Sequence, residues 1–200
     1  MSLHHHLVSS FSTEYLRSNI VPDTAARHTS VPVPKVHCAF VHQGETYIVM
    51  SRIKGRVVWH GWLGRSHDSK TRILEQLRQM LAELRSVPQP AGVGVSNVIG
   101  GPLCDCRLPS KMLWGPGLGN DLVLTHGDLS SFNIMIQGDE VTGIVDWETA
   151  GWFPPYWEYT CARNANPQNA FWAQEVDRFL PPRPHELRMD GIRRKHLGDF

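Results

Sequence analysis

Residues 124–148 read LTHGDLSSFNIMIQGDEVTGIVDWE, and the placement of polar groups in this stretch decides the fold. His126-Gly127-Asp128 opens a polar loop that closes at Asn133. A strand-like run, Ile134 to Gln137, a turn at Gly138-Asp139-Glu140 and a second run, Val141 to Val145, then lead to Asp146. Acidic groups therefore stand at the rims of short apolar strands. One reading is a solvated loop beside a hairpin. The sharper reading is phosphoryl transfer, which needs a carboxylate to accept a hydroxyl proton and oxygen ligands for a hard cation that offsets charge on phosphate.

Upstream, Leu122 to Leu124 is apolar and strand-like, while residues 87–120 hold five Pro and seven Gly, which predicts mostly irregular chain. Before that, Ile73, Leu74, Leu77, Leu81 and Leu84 recur at helical spacing and predict a helix that Asp68 or Ser69 caps and that ends before Pro88. Val31 to Phe40 and Glu45 to Met50 read as an antiparallel hairpin across His42-Gln43-Gly44. Phe11 to Ile20 has a weak helical pattern that Pro22 interrupts or ends. Downstream, Asn166-Pro167 is placed to cap a helix bearing Ala170, Phe171, Val176 and Phe179, and a basic helix is expected over Glu186 to Lys195. MSLHHH, residues 1–6, reads either as a tag remnant or as a natural start and is set aside.

The composition limits the partners. With 200 residues, 41% hydrophobic, 7 Trp and 7 Phe, the chain can bury a sizeable core. Twenty Lys+Arg against 19 Asp+Glu leave a formal charge of +1, so no overall field draws it to nucleic acid or to an anionic membrane. Its apolar runs fall far short of the roughly 20 residues needed to span a bilayer. Four Cys, of which only Cys104 and Cys106 are neighbours, make no disulfide framework, and a cytoplasmic location is expected. C-x-C without a second half is not a zinc spacing. Gly92-Val93-Gly94 and Gly115 to Gly119 do not sit between a strong strand and a helix, as a phosphate loop must.

LTHGDLSSFNIMI…VTGIVDWETAGWFPPYWEY resembles the aminoglycoside phosphotransferase and choline kinase family, in the form common among fungal proteins. TSVPVPKV, YIVMSRIKG and QLRQMLAEL resemble the same family's strand before the hinge, its hinge and the helix beneath its active site, so the likeness covers roughly residues 28–200. It implies an α+β, protein-kinase-like fold with a mostly helical large lobe carrying a catalytic-loop hairpin. Residues 1–53 would be a partial N-terminal lobe and hinge, with a truncated β-sheet, and residues 54–200 the catalytic-type lobe.

It also implies ATP and Mg²⁺ acting on the hydroxyl of a small molecule. Asp128 would be the catalytic base and Asn133 and Asp146 the metal ligands, in the D-x-x-x-x-N spacing of a kinase loop with Asp146-Trp147-Glu148 in place of D-F-G. Ser51, Arg52 and Ile53 would form the hinge that meets adenine. His126 is expected to brace the loop, while Glu148 can face metal, a cationic substrate or an arginine. The aromatic run Trp147 to Tyr159 reads as packing before it reads as a substrate pocket.

The family pattern breaks at the phosphates. A kinase-like small lobe uses a glycine-rich strand pair and a strand lysine paired with a helix glutamate. Before residue 70 the lysines are Lys35 and Lys54, both too late in the chain, and Glu14 would have no lysine to pair with. The expectation is therefore a phosphotransferase with impaired turnover. The alternative is a non-catalytic, pseudokinase-like binding module. Strand edges left open in such a small lobe can also support self-association.

Overall fold

The computed structural model describes residues 7–8, 21–43, 45–101, 103, 121–164 and 170–197. The pattern predicted over Phe11 to Ile20, Glu14, Cys104, Cys106, Gly115 to Gly119 and the Asn166-Pro167 cap lie outside them.

Near the N-terminus a three-stranded sheet is ordered β1-β3-β2, from β1 (Leu7–Val8), β2 (Val36–His42) and β3 (Glu45–Met50). The β2–β3 pair is antiparallel as expected, in a register running from Val36↔Met50 to His42↔Glu45 with a shift between Val36 and Cys38. The strand begins later than the sequence suggested, at Val36 in place of Val31. Pro32 and Pro34 carry no N–H for a ladder, and the Pro32 carbonyl instead accepts the N–H of Ile144 at 2.8 Å. Helix α1 (Val21–His28) also departs from expectation, because Pro22 sits in its first turn. There the missing N–H costs no helical hydrogen bond.

Helix α2 (His67–Ser86) buries Ile73, Leu74, Leu77, Leu81 and Leu84, the face read from the spacing. Each such side chain contributes about 1.5–3 kcal/mol relative to exposure. The cap is Ser66, whose side chain accepts the Ser69 N–H, in place of Asp68 or Ser69. Asp68 lies in the first turn, where its charge suits the helix dipole. Ser69 turns inward.

Two further three-stranded sheets carry the rest of the fold, ordered β4-β7-β8 and β5-β9-β6. The strands are β4 (Arg56–Val57), β5 (Ser96–Asn97), β6 (Val123–Thr125), β7 (Ile134–Gln137), β8 (Glu140–Ile144) and β9 (Gly151–Phe153). The apolar face of α2 packs on β6 and β8, with Leu124, Ile134, Ile136 and Ile144 in one core. A helix not foreseen, α3 (Trp157–Asn164), starts inside the aromatic run. Helix α4 (Ala170–Glu175) is followed by one 3₁₀ turn (Val176–Arg178), and the basic helix α5 spans Pro184–Leu197.

Three of the tryptophans are structural. Trp62, Trp152 and Trp172 are fully buried, and each indole N–H finds an acceptor, respectively Glu175, the Val98 carbonyl and the Leu129 carbonyl. No helix among the described residues is long and apolar enough to cross a membrane.

Candidate functional site

The loop after β6 is built on backbone constraints that the sequence specifies. Gly127 has φ +86°, and a Cβ there would lie 2.8 Å from both the carbonyl oxygen and Oγ1 of Thr149. Only glycine fits that approach. The turn delivers Asp128, half-buried, beside Asn133, which is buried. The Asn133 side-chain amide donates to Asp128 Oδ2 at 2.9 Å and to the Asp128 carbonyl at 3.0 Å.

His126 is 0% exposed and ties this loop to the end of β8. Its Nδ1 accepts the Asp128 N–H at 3.2 Å, so the proton lies on Nε2, which faces the Val145 carbonyl at 3.0 Å. The N–H of the same Val145 donates to the Asn133 carbonyl at 2.9 Å. Val145 is thus held on both sides, and the next residue, Asp146, is exposed with φ +64°. A left-handed backbone at a non-glycine residue costs of order 1–3 kcal/mol and persists because the neighbouring bonds enforce it. Trp147 then turns back inward, its ring edge-on to His126 at 4.5 Å and its N–H on the Ile144 carbonyl.

The hairpin joining Asn133 to Asp146 is clamped to α2. In the tight turn Gly138 takes φ +62°, and Gln137 pairs with Glu140. Asp139 at the tip accepts from Arg65, Ser69 and Arg72. Its carboxyl lies below the ordinary 3.8, first through the Ser69 hydrogen bond and then through Arg72. Gln76 donates to the Asp139 carbonyl at 2.8 Å and accepts the Val141 N–H at 3.0 Å.

One residue that sequence reasoning missed stands behind the loop. Glu158, in the first turn of α3 and 2% exposed, accepts the N–H of His126 at 2.7 Å and of Gly127 at 3.0 Å. Arg85, at the end of α2, faces it. Burial lowers the Arg85 pKa, while the charge of Glu158 acts in the opposite direction. The signal was available, since a lone carboxylate amid Tyr156, Trp157 and Tyr159 is costly unless it is satisfied.

Hydrogen bonds join His126, Asp128 and Asn133 to the backbone of Val145, the residue before Asp146. Glu148 is exposed, two residues beyond Asp146. Ser51 prolongs the β2–β3 ladder by exchanging hydrogen bonds of 2.8 Å with Lys35, and Ile53 packs on β8 where Gly143 has no side chain. Arg52 is exposed.

The oxygen donors suit a hard cation. Asn133 spends its amide nitrogen on Asp128, which leaves Oδ1 as the atom it can offer, and Asp146 adds a carboxylate. Mg²⁺ typically takes one or two carboxylates and fills its shell with water and phosphate oxygens. The described residues contain no group of three or more His, Cys, Asp or Glu that could hold a metal ion.

Residues 19–98 and 105–190 match the phosphotransferase enzyme family. No curated protein matches the sequence. Among solved structures, aminoglycoside phosphotransferase APH(3'')-Id from Streptomyces rimosus, in complex with ADP and streptomycin, has a TM-score of 0.59 at 15% identity, over 98% of this chain and 86% of that one. The streptomycin–ATP complex of APH(2")-IIa has a TM-score of 0.61 at 12% identity, covering 97% of this chain and 83% of the other. A thermostable mutant of APH(4)-Ia, in its apo form, gives 0.60 at 14% identity, over 94% and 82%. At such identities the likeness is one of fold, and the fold is the α+β, kinase-like one that the sequence resemblance implied. The family match spans most of the chain, and the protein belongs to the phosphotransferase enzyme family.

Proposed function

We propose that the chain is an ATP- and Mg²⁺-dependent phosphotransferase acting on the hydroxyl of a small molecule. The observation that supports this reading is that Asn133 donates to Asp128 through its side chain and accepts, at its carbonyl, the N–H of Val145, the residue before Asp146. Asp128, fixed by Asn133, is the base that accepts the hydroxyl proton on a carboxylate oxygen. Asn133 Oδ1 and the Asp146 carboxylate hold the cation, and the backbone of residues 51–53 meets the adenine. Bound Mg²⁺ supplies charge neutralisation on the transferring phosphoryl group. His126 positions both loops without touching substrate. We place the boundary between the two lobes after Ile53 and the protein in the cytoplasm.

Turnover is slow in this reading. Lys35 and Lys54 flank the hinge, and no other lysine precedes residue 70 to hold the α- and β-phosphates. Losing one charge-stabilising donor costs on the order of 10²–10³ in rate, by analogy with oxyanion-hole deletions. The same lysine positions favour, as a second reading, a module that binds nucleotide without transfer. The outer edge of β2 is the surface we assign to self-association, because β3 is its sole strand neighbour among the described residues.

Titration of a non-hydrolysable ATP analogue with Mg²⁺ tests the metal site. Asp146→Ala is expected to weaken binding roughly tenfold or more, as expected for losing a carboxylate ligand to the metal. Equal affinities at saturating Mg²⁺ would remove Asp146 from that role.

A further inference from the structure

The chain carries nearly balanced charge, yet four of its 20 Lys and Arg, Arg52, Lys54, Arg56 and Arg65, line one hollow, and of these only the backbone of Arg52 enters the proposed chemistry. A cavity of about 670 Å³ lies beyond the hinge, lined by Arg52, Lys54, Arg56, His60 and Arg65 and by no carboxylate. Residues 136–138, where β7 enters its turn, complete the lining. None of Asp128, Asn133 and Asp146 lines it.

The hollow follows from local structure. Gly55 has φ +113° and lies so close to the Ile136 carbonyl that no side chain fits between them. The chain after the hinge therefore presses its backbone onto β7, in the register Arg56↔Ile136, and its flanking basic side chains rim the space. Arg65 is committed, because it shares Asp139 with Ser69 and Arg72. Arg52, Lys54, Arg56 and His60 make no ion pair with any described residue.

Like charges gathered in a hollow repel one another, and low-dielectric walls concentrate their field. An anion relieves that repulsion, and phosphate suits it best. Arginine presents a planar fork to phosphate oxygens, lysine adds a point charge, and the volume is that of a small-molecule site. We propose that this groove is a binding site for a multiply phosphorylated group, separate from the Asp128 centre.

The probe is inorganic tripolyphosphate, titrated calorimetrically into the full chain at about 0.15 M salt, where exposed charges are screened beyond about 8 Å. EDTA is present so that no metal can recruit the probe to Asn133 and Asp146. Wild type is expected to bind one equivalent, and the double substitution Lys54→Gln/Arg56→Gln to weaken binding roughly tenfold or more, because two charge-assisted contacts are lost. Arg56→Lys alone is expected to lose less than Arg56→Gln. Asp146→Ala is expected to bind as wild type does. Both groove side chains are exposed, and the variants are expected to match the melting curve of wild type, which checks that they fold.

Sedimentation with vesicles containing phosphatidylinositol bisphosphate distinguishes the sources. Pelleting that depends on Lys54 and Arg56 assigns a lipid headgroup, while tripolyphosphate binding without pelleting assigns a soluble ligand, and either supports the site. No binding to wild type, equal affinity in the double variant, or loss in Asp146→Ala with the double variant intact overturns it.

Discussion

Glu158 accepts the backbone N–H of His126 at 2.7 Å, placing a buried carboxylate directly behind the loop that presents Asp128. Its other oxygen takes the Gly127 N–H, so one side chain accepts from two successive backbone donors of the turn. Helix α3 is thereby coupled to the site, although it contributes no group to it.

Replacing Glu158 by Ala leaves those two donors without their acceptor. At about 1–3 kcal/mol for each buried donor that loses its acceptor, Glu158→Ala is expected to lower unfolding free energy by about 2–6 kcal/mol. Urea denaturation measures this directly. A loss below about 0.5 kcal/mol, the scale of an ordinary surface change, would mean that Glu158 does not hold the loop.

The clamp on the β7–β8 turn makes stability depend on acid. Asp139 has its folded-state pKa lowered from the ordinary 3.8, chiefly by Ser69 and then by Arg72. A depressed carboxyl contributes stability that is fully present above its unfolded value and is lost as pH falls through its folded value. Glu75, held by Arg78 and Gln79, is pushed down from 4.5 to about 2 and acts in the same direction. Wild type should therefore lead Asp139→Asn in melting temperature at neutral pH, and the gap should close as pH falls below 3.8. A gap that stayed constant from neutral pH to pH 2 would exclude Asp139 as the titrating group.

Strand β2 sets a concentration dependence. Val36, Phe40 and Val41 are 36%, 45% and 44% exposed along a strand whose outer edge no other described strand covers. Open, flat, apolar edges pair with other chains, and a lysine on the edge opposes this. Light scattering should show mass rising with concentration for wild type and less so for Val41→Lys. A constant monomer mass for both would remove the edge from consideration.

How much of this was legible depends on how local each signal is. The α2 core face, β7 and the closeness of Asp128 to Asn133 were readable, because helical period, strand length and loop spacing are local properties. Ser66 was overlooked as a cap because it lies two residues before Asp68 and seven before Ile73, the first apolar position of the pattern. Helix α3 was hidden by its aromatic content, since Trp157 and Tyr159 follow tertiary burial more than propensity. Glu158, Arg85 and the groove lined by Lys54 and Arg56 depend on residues distant in sequence, such as Arg56 against Ile136, which no window could pair.

The most direct test of the proposed function is phosphate transfer itself. Wild type and Asp128→Ala, each with ATP and Mg²⁺, are followed by phosphorus NMR across a panel of amino-alcohols and aminoglycosides, with formation of a phosphate ester as the readout. Wild type is predicted to give slow ester formation with at least one acceptor. Asp128→Ala is predicted to reduce that rate by roughly 10²–10⁴, the range a positioned base contributes, while binding nucleotide normally. Equal rates in both proteins, or a wild type that binds nucleotide yet forms no ester with any acceptor, would contradict the account.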